Sequence, residues 1–176
     1  MAWLVRKISR GKWPNEKNLP LQDMPGDCVS SELGTTRNTL SFWYVENSGD
    51  DDLKSAVTAL ATGPTIKNIE SMDIVWLDLK QFLDKGIIIE ESDGTTAIGD
   101  LVKTHRDARD ITYSSLGIIS KMILESIHIG QYKKIKDTVI KKYLQEAFLS
   151  GKIDRNKCTP QLFEKLSLQN NTTPFK

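Results

Sequence analysis

Asp78-Leu79-Lys80 is the triplet best suited to chemistry. A carboxylate and an ammonium one residue apart, directly after the apolar run Asp73 to Leu77, can share work over a phosphate ester. The carboxylate would hold a divalent metal, and the lysine would activate water or offset the developing charge. That arrangement needs a further carboxylate. Asp73 opens the same run, and Asp50, Asp51, Asp52 and Glu70 lie upstream. A structural assignment competes. Asp78 ends a strand, and Gln81 three residues later completes a capping box for a helix over 79–84. The run Asp50-Asp51-Asp52 is equally explained by a helix N-terminus that favours negative charge.

Asp78-Leu79-Lys80 resembles the second half of the PD-(D/E)xK nuclease pattern, over three residues only. The resemblance implies metal-dependent cleavage of nucleic acid, with Asp78 and Lys80, and Asp73 beside them, as the catalytic set. His105-Arg106-Asp107 spells the kinase catalytic-loop tripeptide. The asparagine expected five residues after Asp107 is Thr112, and no glycine-rich loop precedes it. His105 and Asp107 stay as a candidate proton-handling pair, with no serine or cysteine assignable to them from sequence. The stretch 105–110 packs five ionisable residues into six, and an ion-pair network is its simpler role. Asp154 to Lys165 lacks the glycine and the final glutamate of a calcium loop. No P-loop, dinucleotide fingerprint, nucleophile elbow or zinc spacing is present, so no metal site and no cofactor is expected.

Binding candidates are of two kinds. Lys133, Lys134, Lys136, Lys141 and Lys142 are expected on the polar face of one amphipathic helix over 132–149. They serve there as a solvated face, or as a contact for an acidic protein or nucleic acid. The helix has no arginine, which phosphate contacts favour. Trp13, between Lys12 and Pro14 in a loop, either plugs a sheet edge or anchors a partner. Net charge is +1 overall but divides unevenly: −5 over residues 1–127 and +6 over 128–176. Such asymmetry acts on encounter with charged partners more than on folding.

The elements that must position these residues read as α/β. Strands are expected at Trp3–Ile8, Thr39–Val45, Asp73–Leu77 and Ile87–Glu90, with helices over 27–33, 51–61, 79–84 and 97–105. Thr39–Val45 and Asp73–Leu77, almost continuously apolar and joined by a helix, predict adjacent parallel strands in a βαβ unit. After Thr112 the apolar period turns helical. Helices over 113–127, 132–149 and 160–168 are expected to pack as a three-helix subdomain, the second against the first. The expected organisation is an α/β part at 1–92, a charged junction at 93–111, a helical part at 112–168 and a frayed tail at 169–176.

No apolar run reaches the roughly 20 residues of a membrane span, and the charges within residues 1–13 do not fit a signal peptide. Cys28 and Cys158 lack metal spacing and are expected as buried, reduced thiols in a cytoplasmic protein. These features favour a non-enzymatic accessory protein with a protein partner. By analogy with small catalysis-free chains, an immunity, toxin–antitoxin or defence-type subunit of bacterial or phage origin is expected. The alternative is the metal-dependent nuclease, and the third expectation is a nucleic-acid binder through the lysine helix.

Overall fold

The computed structural model describes residues 1–17 and 19–170, the last two without their side chains. The expected frayed tail lies outside the described residues from 171 onward. Six strands form the centre: β1 (Trp3–Ile8), β2 (Leu40–Val45), β3 (Met72–Asp78), β4 (Ile88–Glu91), β5 (His105–Arg109) and β6 (Tyr132–Ile135). They pair into one antiparallel sheet in the order β4-β5-β2-β1-β3-β6. The α-helices are α1 (Gly26–Ser30), α2 (Asp50–Ala61), α3 (Leu79–Asp84), α4 (Tyr113–His128), α5 (Asp137–Leu149) and α6 (Pro160–Asn170).

Successive side chains of a strand point to opposite faces, and both faces here are apolar. On β1, Val5 turns to one side and Leu4 and Ile8 to the other. On β3, Ile74 turns to the first side and Val75 and Leu77 to the second. All six are buried. The first face is covered by Leu53, Ala56 and Val57 of α2, Ile140 and Leu144 of α5, and Leu162 and Leu166 of α6. The second is covered by Cys28 of α1, Phe82 of α3, and Ile119, Met122 and Ile123 of α4. Full burial of a side chain such as Ile123 contributes about 1.5–3 kcal/mol. The two thiols are free and buried in opposite layers, Cys28 on the second face and Cys158 on the first.

The topology differs from the expected βαβ unit. β1 pairs antiparallel with both β2 and β3. β2 and β3 therefore run the same way, but β1 lies between them, and α2 crosses over it. A continuous apolar strand signals burial on two faces. Helices on both sides of an antiparallel sheet meet that requirement as well as a parallel pair does.

The helices after residue 112 also differ from expectation. α4 lies on the second face and α5 and α6 on the first, so they do not pack as one three-helix unit. The expected helix over 132–149 is β6 followed by α5. Tyr132, Ile135 and Val139 fit a helical period by chance, and no glycine or proline marks the change at Lys136. The charged segment 105–109 is a strand inside the sheet, between β4 and β2. The helix expected over 97–105 is a 3-10 turn, Gly99–Thr104.

Candidate functional site

Asp78, Lys80, Asp73, His105 and Asp107 each have a structural partner. The Asp78 carboxylate accepts the Lys80 backbone N–H at 2.9 Å and so caps α3. The Lys80 ammonium lies 2.5 Å from Asp84, one turn further on. Asp73 sits at the other end of β3, five residues from Asp78, which is about 17 Å at the rise of a strand. It also faces the opposite side of the sheet, where Tyr132 Oη donates to it at 2.6 Å. Burial first, and this hydrogen bond second, push the Tyr132 pKa up to about 12. Asp73, Asp78 and Lys80 thus do not converge. Asp50 at the start of α2 receives Lys133 at 2.7 Å. Among the described residues, no three His, Cys, Asp or Glu side chains gather as metal ligands would.

His105 opens β5 and is half-buried. Its Nδ1 is 2.7 Å from Ser92 Oγ, just past the end of β4, and its ring meets Trp43 edge to face at 5.2 Å. Burial lowers the His105 pKa, with Asp107 acting in the opposite sense and Arg106 adding to the lowering. Asp107 lies two residues on, on the same face, and accepts from Ser41 Oγ at 3.0 Å. A neutral imidazole beside a serine hydroxyl is the first half of a general-base pair. The surroundings are closed, however. A Cβ on Gly94 would stand 2.6 Å from the Trp43 ring and 2.8 Å from His105 Cβ. The neighbouring cavity of about 560 Å³, lined by Gly94, Thr96, Val102 and Cys158 among others, is lined by neither Ser92 nor His105.

Ser92 is the residue that sequence reasoning missed. It meets His105 only because β4 pairs with β5. The available signal was the acidic pair Glu90-Glu91 matched to Arg106 and Arg109. These form cross-strand ion pairs, Arg106–Glu91 at 2.9 Å and Arg109–Glu90 at 2.5 Å.

Trp13 is a correction to the expected contact residues. It is only 3% exposed and belongs to the core of the second face. Trp13 packs there with Leu19 and Met24 beneath the sheet, so it plugs the layer and is closed to a partner. On the same face, Arg6 of β1 donates to the Ser41 and Glu32 carbonyls at 2.7 Å each. Burial lowers the Arg6 pKa, and Glu32 opposes that.

The five lysines are also corrected, since they do not line one helical face. Lys133 and Lys134 are neighbours on β6 and point to opposite faces of the sheet. Lys136 precedes α5, and Lys141 and Lys142 lie within it; all five are exposed. β6 is an outer strand, with no strand on its far side among the described residues. What the fold brings together is an outer sheet edge with lysines on both of its faces.

A cleft of about 480 Å³ lies between α2 and α5, with Ile98, Leu101, Tyr143 and Ala147 among its walls. It is bridged by the Lys54–Glu146 ion pair at 2.5 Å. No helix among the described residues is long and apolar enough to cross a membrane. No protein-family model, curated protein or solved structure matches the chain.

Proposed function

We propose that this chain is a binding module that acts through contact, and that its contact surface is the β6 edge with the start of α5. The observation that carries the reading is the outer side of β6, unpaired with any strand among the described residues and flanked by exposed lysines on both faces. An edge strand presents a row of unpaired N–H and C=O groups that can pair with another chain, and lysines around it attract an acidic partner. The commitment of Asp78, Lys80 and Asp73 to separate structural partners favours contact over catalysis. By analogy only, such a module fits a small accessory or immunity-type subunit of bacterial or phage origin.

The test is the combined substitution Lys133→Glu, Lys134→Glu and Lys141→Glu. All three side chains are exposed, so the melting curve should move little. Association with the native partner at low salt should slow by at least about tenfold. A normal rate in the folded variant overturns the reading. Binding of nucleic acid whose logarithm falls steeply and linearly with the logarithm of salt would replace it with the nucleic-acid reading. Mg²⁺- or Mn²⁺-dependent cleavage of DNA or RNA, lost in Asp78→Asn and Lys80→Ala, would replace it with the nuclease.

A further inference from the structure

This inference rests on the reading of β6 as a contact edge, and names the partner. We propose that β6 pairs with the β4 edge of a second copy, so that copies join by continuing the sheet head to tail. Polarity permits it. Five successive antiparallel pairings separate β4 from β6, so the two edges run in opposite directions. A copy displaced along the hydrogen-bonding direction of the sheet offers its β4 antiparallel to β6. That is the pairing used at every other junction.

The faces match as well. Glu90 lies on the face of Asp107 and Ser41, which is the first face, and Lys133 lies on the face of Ile74, also the first. Glu91 and Lys134 lie on the second. With Glu90 opposite Lys133, Ile88 comes opposite Ile135, and Glu91 becomes a diagonal neighbour of Lys134. Each of these pairs shares one face. Opposite charges across strands stabilise, and like charges directly opposite destabilise. β6 against β6 sets lysine against lysine, and β4 against β4 sets glutamate against glutamate. Only the unlike edges are complementary, so the charges select against both symmetric pairings.

The existing partners do not prevent the exchange. Lys133–Asp50 and Arg109–Glu90 are exposed ion pairs, a kind that holds its partners weakly. Ile88, 54% exposed on β4, would gain an apolar neighbour. Because two different patches meet, the contact does not close on itself as a dimer. The twist of about 20–25° between strands turns each copy relative to the last, giving an open chain of copies.

Sedimentation velocity of the full chain, from micromolar to millimolar concentration at low salt, tests the proposal. The mean size should rise without a plateau at the dimer and fall when salt is raised. Lys133→Glu/Lys134→Glu and Glu90→Lys/Glu91→Lys should each be monomeric, and their equal mixture should associate again. Should a double variant fail to fold, Lys133→Glu and Glu90→Lys alone carry the same test. A wild type that stays monomeric, a closed dimer, or a mixture that does not reassociate overturns the proposal. In parallel, an extended acidic peptide of unrelated sequence is titrated onto the Glu90→Lys/Glu91→Lys protein and followed through the β6 amides. A monomeric wild type whose β6 binds the peptide overturns self-pairing alone. If β6 binds neither copy nor peptide, the contact-edge reading falls with it.

Discussion

His105 is held by contacts that favour its uncharged form. Burial against Trp43 lowers its pKa more than Asp107 raises it, so the folded value lies below the unfolded one of about 6.5. Its contribution to stability is therefore complete above the unfolded pKa. It is lost as pH falls through that value toward the folded one. Thermal melts from pH 7.5 to pH 5 should show a falling midpoint in the wild type and a shallower fall in His105→Gln. The difference between the two slopes isolates His105 from the carboxylates that titrate below it. One of these is Glu32. Burial alone would raise its pKa, but hydrogen bonds from Lys12 and the Ser9 backbone bring it below the ordinary value. Equal slopes in the two proteins would show that His105 is not destabilised by protonation in the fold.

Turns and strand ends expose how local signals and pairing divide the work. Ahead of β2, Thr36 and Thr39 exchange backbone hydrogen bonds around Arg37 and Asn38. Both central residues have positive φ, 54° and 58°, the pattern of a type I′ turn. Asn38 tolerates that region. Arg37 does not, since its Cβ crowds the carbonyl at a cost of roughly 1–2 kcal/mol. Arg37→Asn should raise stability by on the order of 0.5–1 kcal/mol, measured as an upward shift of the urea midpoint with an unchanged slope. An unchanged midpoint would mean that the turn is less strained than its φ angles imply. β1, β2, β3, α2, α3 and α4 were legible because each is an apolar pattern of one period bounded by turn or cap residues. β5 and β6 were not. His105–Arg109 holds one buried apolar side chain, Ala108, and stands as a strand through ladder bonds and cross-strand ion pairs. These exist only after β2 and β4 are in place. The Asp78 cap was legible because it is local, and so was the separation of Asp73 from Asp78, five residues apart on one strand and on opposite faces, whereas the pairing of Ser92 with His105 depends on register.

At the scale of the molecule, the charge division follows the layers poorly. The basic stretch after residue 128 crosses from the β6 edge to the first face, and acidic residues meet it there. Lys133–Asp50 and Lys152–Asp100 each join the basic part to the acidic part. These are exposed pairs, so they orient the layers more than they stabilise them. The excess of lysine remains at β6, and an excess of glutamate at β4. The charge difference read from the sequence thus lies across the sheet, from one edge to the other, as well as along the chain.

The position of β1 sets a constraint in time. Its neighbours come from residues 40–45 and 72–78, so its hydrogen bonds on both sides wait for loops of several tens of residues to close. Loop closure is an entropic cost met before any contact offsets it. Folding should therefore be slow for the chain's size, with the β4–β5 hairpin formed early and the centre of the sheet last. Once formed, that centre has no way to open locally. In native-state hydrogen exchange the amides of Leu4 to Lys7 should open only with global unfolding, while those of β4 exchange through smaller openings. Early exchange at Leu4 and Val5 would mean that the first strand can peel away while the rest of the protein stays folded.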